Sequence, residues 1–181
     1  MISSMHIASM AIEDIKLLKP RVFSDERGFF MESFRNCFLQ EFGISEPFVQ
    51  DNHSYSKKGV IRGMHFQTFP GQNKLVRVVK GKIFDVAVDI RPDSRTFKQW
   101  VGVYLDDVNH EQLFIPAGFA HGFCVVSEEA HVLYKVSSYF DPETEKGFRY
   151  NDPEINIAWP VSNPIVSERD RTAPTFKEMV S

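Results

Sequence analysis

The chain has 181 residues, 43% apolar and 13% aromatic, with no long polar or proline-rich run, which is material for one core and one domain spanning residues 1–181. Its formal charge of −3, with Lys, Arg, Asp and Glu interspersed, leaves no basic face for a polynucleotide backbone and argues against nucleic acid as a partner. No run reaches membrane-spanning length, and Met1 to Met10 lacks the basic and apolar regions of a signal peptide, so a soluble, cytoplasmic protein with no membrane partner is expected.

The aromatic residues and the β-branched runs around them predict an all-β fold with a few short helices. Residues 1–12 read as a start that is either frayed or exchanged with a partner subunit. Ile15 to Pro20 and Arg21 to Phe23 read as extended, a turn falls at Ser24, Asp25 and Glu26, and Arg27-Gly28-Phe29-Phe30 opens another strand. Phe34, Cys37, Phe38 and Phe42 recur at helical spacing, with Ser33 as the expected cap and Gly43 as the stop. That helix is expected to cover one side of a sheet.

From Val49 onward short strands alternate with Gly, Pro, Asn and Asp clusters, the spacing of a barrel or sandwich. Lys74 to Val79, the turn Lys80-Gly81-Lys82 and Ile83 to Ile90 form strand, turn and strand. In the second strand Phe84, Val86, Val88 and Ile90 share one face, and Asp85, Ala87 and Asp89 the other. Further strands fit Trp100 to Leu105, Gln112 to Ile115, Phe123 to Val126 and His131 to Phe140. Pro116-Ala117-Gly118 breaks the chain and sets His121 at the lip of the next strand. The tail from Ser167 is polar, with a short helix from Thr175. Cys37 and Cys124 lack CxxC spacing and sit in apolar surroundings, so both are expected to be buried free thiols in a reducing compartment.

In Arg62-Gly63-Met64-His65-Phe66-Gln67, an extended strand puts His65 and Gln67 on one face and packs Met64 and Phe66 on the other. By itself His65 reads more readily as a hydrogen-bonded core histidine. Tyr134 shares its face with Val132 and Val136, so its ring belongs in the interior, with a hydroxyl that can reach a cavity. Asp170 is one member of the charge run Ser167 to Arg171, and Lys74 has the look of a surface lysine opening a strand. Nothing in periodicity brings these four residues together.

Pro116-Ala117-Gly118-Phe119-Ala120-His121 resembles the second half-motif of the cupin superfamily, and residues 59 to 67 lie where its first half-motif falls. Metal-binding cupins present His-x-His there, whereas this chain has His65-Phe66-Gln67, which lacks an imidazole that a first-row metal requires. No metal site and no cofactor are therefore expected. No Gly-rich βα fingerprint for a nicotinamide cofactor is present either.

Seven strings then carry a more specific resemblance: Arg27 to Phe34, Phe48 to Ser54, Val60 to Gln67, Lys74 to Arg77, Asp85 to Arg91, Ile115 to Phe123, and Tyr134-Lys135. In order and spacing, from about residue 13 to about residue 178, they are similar to the dTDP-4-dehydrorhamnose 3,5-epimerase family. The resemblance implies a cupin-like jelly-roll barrel, a homodimer that exchanges N-terminal strands, and a dTDP-4-keto-6-deoxyhexose substrate. It puts the base on His65, the aspartate of its dyad on Asp170 and the acid on Tyr134. Sugar and diphosphate contacts fall on Arg62, Lys74 and His121. Further nucleotide-sugar contacts fall on Arg27, Glu32, Gln50, Asn52, Glu145 and Arg169, with Phe29 beside Arg27 as a residue lent by the partner. The thymine-stacking position, usually Tyr in the family, is Phe140, which loses a hydroxyl and keeps the ring face.

Epimerisation beside the C4 ketone needs a base for a carbon-bound proton, an acid on the opposite face and a cation for the enolate. His65, Tyr134 and Lys74 supply these types, with Asp170 orienting His65. The expected reaction inverts C3 and C5. A single-centre epimerase shares the same machinery, and a metal-dependent cupin enzyme or a sugar-binding cupin stands as the other alternative.

Overall fold

The computed structural model describes residues 5–8, 10–41 and 43–180, with the side chains of all of these except 38, 39 and 41. The strands run β1 (Met5–Ala8), β2 (Lys16–Pro20), β3 (Val22–Asp25), β4 (Gly28–Met31), β5 (Gln50–Lys57), β6 (Ile61–Gln67) and β7 (Lys74–Lys80). They continue with β8 (Lys82–Asp89), β9 (Trp100–Asp106), β10 (Gln112–Ile115), β11 (Phe119–Val125), β12 (Glu129–Val136) and β13 (Glu145–Gly147). Three short helices, α1 (Asn36–Glu41), α2 (Glu168–Arg171) and α3 (Phe176–Val180), complete the described elements.

Two antiparallel sheets face each other as a cupin-like jelly roll, one ordered β1-β2-β10-β7-β12-β5 and the other β13-β6-β11-β8-β9, with β3 and β4 as a separate hairpin. Period-two alternation explains both faces. Leu17, Val76, Ile83, Leu113, Phe123 and Val132 point between the sheets and form the central core. Met64, Phe66, Val86, Val88 and Ala120 point outward from the second sheet and are covered by Phe148, Ile155, Ile157 and Phe176 of the C-terminal segment. A third cluster of Met5, Leu18, Ile44, Leu75 and Phe114 lies on the outer face of the first sheet, with Phe34 and Phe48 against it.

The turn at Gly81 does not make a hairpin. β7 pairs with β10 and β12, while β8 pairs with β9 and β11, so the turn carries the chain from one sheet to the other. Gly81 has φ +86°, and a Cβ there would meet the Glu129 carbonyl oxygen at 2.0 Å, so only glycine fits this corner.

Several expectations need correction. The early helix starts at Asn36 and Ser33 does not cap it; the Ser33 carbonyl instead accepts a bond from Gln112 Nε2 at 2.7 Å. Phe42 and the side chain of Phe38 lie outside the described residues. Cys37 is exposed on this helix rather than buried, whereas Cys124 is buried and burial pushes its thiol up to about 11. Met5–Ala8 is not frayed but pairs with β2 of the same chain. β11 begins four residues before the expected Phe123, which puts His121 inside a strand, and β12 ends at Val136 rather than Phe140. The charge run at Ser167 folds as α2.

Candidate active site

A cavity of about 510 Å³ opens between the sheets, with His65, Arg62 and His121 on one wall and Lys74, Tyr134 and Asn52 on the other. On β6, Met64 and Phe66 pack outward and His65 points inward, as alternation requires. Arg62 should then point outward with Met64. It lines the cavity instead because the pairing of β6 with β11 slips: His121 faces His65, but Phe123 faces Arg62, so β6 has one extra residue and its side-chain alternation reverses. Gly63 takes up that irregularity at φ +126°, where a Cβ would lie 2.6 Å from Gly122 Cα. Two facing glycines thus let the strands approach closely beside both histidines.

Asp170 belongs to no solvated charge run: it is only 4% exposed on α2, whose N-cap Ser167 accepts a bond from the Asp170 backbone N–H at 3.1 Å. Its Oδ1 lies 2.6 Å from His65 Nε2, and its Oδ2 accepts from the Gly63 N–H at 3.2 Å. Burial pushes the Asp170 carboxyl up, but the bonds from His65 and Gly63 outweigh it and hold the group below the usual carboxylate range. An ionised carboxylate only accepts, so His65 Nε2 carries the proton and the lone pair sits on Nδ1. A second pair repeats the theme, with His121 Nε2 at 2.9 Å and 3.0 Å from the two carboxylate oxygens of buried Asp85.

Lys74 is not on the surface. It is 7% exposed, its Nζ lies 3.5 Å from the His65 carbonyl oxygen, and burial, opposed by Glu145 and Asp85, pushes its ammonium down to about 8. Tyr134 enters from β12, where burial and the nearby Glu145 raise its pKa against the opposing pull of Arg62, so its phenol keeps its proton at neutral pH. Arg62 donates to Ser56 Oγ at 2.9 Å and to the Tyr55 carbonyl at 3.2 Å.

At the mouth, Arg169 pairs with Glu145 at 2.6 Å, and Gln50 bridges Asn52 Oδ1 at 2.8 Å and the Phe140 backbone N–H at 3.1 Å. The structure thus brings together the expected His65, Tyr134, Asp170, Lys74, Asn52, Arg62, His121, Phe140, Glu145 and Arg169. It leaves Arg27, Phe29, Glu32 and Gln50 off the wall of this cavity, Gln50 reaching it only through Asn52 and Phe140; Arg27 and Phe29 stand exposed on the β3 and β4 hairpin, with Phe29 against the His110 ring. Sequence reasoning missed Asp85 as the partner of His121, although an aspartate alternating with Ala87 on an inward face was a signal for it.

A metal fits this site poorly. Gln67 stands where a metal-binding cupin has an imidazole, and its amide nitrogen is taken up by Ser138 and the Tyr139 carbonyl. Among the described residues no three His, Cys, Asp or Glu side chains group as ligands.

A carboxylate-held imidazole on one sheet, a protonated phenol on the other and a buried ammonium on the same cavity define a jelly-roll isomerase that works by proton transfer. Comparison with known proteins agrees. The dTDP-4-dehydrorhamnose 3,5-epimerase family model matches residues 9–178. The enzyme of that name from Shigella flexneri is 51% identical over 174 residues, covering 95% of this chain and 96% of that one. The one from Neisseria gonorrhoeae is also 51% identical, over 175 residues, and there the chain spans 53% of the relative's length. The crystal structure of dTDP-6-deoxy-D-glucose-3,5-epimerase from Legionella pneumophila, in complex with dTDP-4-keto-L-rhamnose, superposes with a TM-score of 0.93 at 47% identity, covering 96% of this chain and 93% of that one. The chain belongs to the dTDP-4-dehydrorhamnose 3,5-epimerase family.

Proposed function

We infer that the chain epimerises dTDP-4-dehydro-6-deoxy-D-glucose at C3 and C5, giving dTDP-4-dehydro-L-rhamnose. The observation that carries this reading is the His65 and Asp170 dyad facing Tyr134 from the opposite sheet, with the Lys74 ammonium in the same cavity. His65 Nδ1 removes the proton on the carbon beside the ketone, and the electron pair of the C–H bond moves onto the ketone oxygen as an enolate. Lys74, with Arg62, holds that oxyanion in a partly dry cavity. Tyr134 returns a proton from the opposite face and inverts the carbon, after which solvent restores both side chains. Asp170 stabilises the imidazolium without exchanging a proton with the sugar.

Arg62 and His121 are assigned to the diphosphate and sugar, Gln50, Asn52, Glu145 and Arg169 to the nucleotide sugar, and Phe140 to the thymine face. Arg27, Phe29 and Glu32 stand off the cavity of their own chain, so we assign them to a second copy in a homodimer. This reading keeps the protein in the cytoplasm; among the described residues no helix is long and apolar enough to cross a membrane.

Incubation with dTDP-4-keto-6-deoxyglucose in heavy water tests the assignment. Inverted product carrying deuterium at both C3 and C5 is expected. Label at one carbon alone makes the chain a single-centre epimerase, and no label at either defeats the reading.

A further inference from the structure

Gln67 occupies the strand position where a metal-binding cupin carries an imidazole, yet it has no part in the proton transfers. It is 7% exposed, and it lies behind the cavity rather than on its wall. Its amide reaches toward the loop that joins β12 to β13. Nε2 donates to Ser138 Oγ and to the Tyr139 carbonyl, both at 3.2 Å, while Oε1 accepts from the Asp141 N–H at 3.4 Å. Those three partners flank Phe140 on both sides.

We propose that Gln67 is the positioning residue that fixes the Phe140 ring against the base of the nucleotide, through the backbone of residues 138–141. The proposal rests on the reading of Phe140 as the stacking ring. Phe140 is 52% exposed, so little packing holds its ring in place. Its loop is held by hydrogen bonds: Gln67 grips it from beneath, Gln50 holds the Phe140 N–H, Gln72 Nε2 donates to the Ser138 carbonyl at 3.0 Å, and Ser138 Oγ donates to the Gly71 carbonyl at 2.8 Å. The pairing of Glu145 with Gln67 ties the far end of the loop to the same residue of β6. An amide donates twice and accepts once at this place; an ionised glutamate cannot donate, and methionine donates nothing and accepts only weakly. Without the clamp, the nucleotide has to order the loop as it binds, which costs affinity and leaves the chemistry at His65 intact.

The test measures dTDP binding by calorimetry, together with KM and kcat for dTDP-4-keto-6-deoxyglucose. The proteins are wild type, Gln67→Met, Gln67→Glu, Phe140→Ala and the double variant Gln67→Met/Phe140→Ala. Loss of the stacking ring is expected to weaken dTDP binding about tenfold or more. Gln67→Met should weaken it by a large part of that factor, and in this variant KM should rise in parallel while kcat at saturation holds within about twofold. The double variant should bind no more weakly than Phe140→Ala alone, because the clamp acts only through that ring. Gln67→Glu, which keeps the shape but can donate to neither Ser138 nor Tyr139, should weaken dTDP binding as well, and it carries the comparison if the methionine variant does not fold. Unchanged dTDP affinity in the Gln67 variants, losses that multiply with Phe140→Ala, or a fall in kcat at constant KM would each overturn the proposal. Those results leave the epimerase reading standing if wild type turns over the sugar; a wild type that does not turn it over ends both.

Discussion

Lys74 is held by burial in a state that a free lysine does not favour, while His65 is held against Asp170, and the consequences are measurable separately. On the proposed mechanism His65 is the base in every turnover, so His65→Asn should lose more than the roughly 10²–10⁴-fold typical of a general base, read as proton exchange from substrate into heavy water. Asp170→Asn should cost less, because it disturbs orientation and basicity without removing the imidazole. Exchange near the wild-type rate in His65→Asn would remove it from the mechanism.

Lys74 makes a prediction of opposite sign for stability. Its ammonium falls from the ordinary 10.5 to about 8 on folding, so between those pH values the unfolded chain binds the proton more tightly and stability rises with pH. Below about 8 the buried charge is a standing cost of about 3 kcal/mol. Lys74→Met should therefore melt higher than wild type at pH 7, with the advantage fading as the pH climbs toward 10.5, while epimerisation collapses. Thermal melts across that range check it, and a variant that melts lower at pH 7 contradicts the burial argument.

At the level of elements, the four-residue helix α2 exists to present Asp170. Its cap, Ser167, holds the Asp170 N–H, and removing a cap of this kind costs about 1 kcal/mol. Ser167→Ala should lower kcat by a smaller factor than Asp170→Asn and leave KM close to wild type; a silent Ser167→Ala would show that the loop alone sets Asp170. The sequence shows why such a device is hard to read. Ser167-Glu168-Arg169-Asp170-Arg171 has no apolar periodicity, so nothing local distinguishes a buried aspartate from a solvated one, and only family resemblance singled out Asp170. Strands fared better, since alternation at Phe84 to Ile90 and Met64 to Gln67 is itself a record of which face is buried. Alternation could not foresee the slip at Gly63 that turns Arg62 inward, nor that Gly81 sends β7 and β8 to different sheets, because both depend on pairing partners distant in sequence.

On the scale of the whole molecule, Phe23, Phe29 and Phe30 project from the β3 and β4 hairpin at 49%, 57% and 72% exposure, more apolar surface than a lone hairpin normally leaves in water. If Arg27 and Phe29 complete the cavity of a second copy, two inactive variants should rescue each other. Mixing Arg27→Ala with His65→Asn, after exchange of subunits, should restore part of the activity, because each mixed dimer holds one intact site. An inert mixture in which mixed dimers have formed contradicts the sharing.

The central claim is that one group takes the proton from one face and another returns it from the opposite face. Tyr134→Phe tests it directly, since the change removes the donor hydroxyl without opening a large cavity. In heavy water, with deuterium incorporation and inversion followed together on dTDP-4-keto-6-deoxyglucose, His65 should still exchange the carbon-bound protons while inversion falls steeply, because protons return to the face they left. Inversion at the wild-type rate in Tyr134→Phe would assign the acid to another group and contradict the two-faced mechanism.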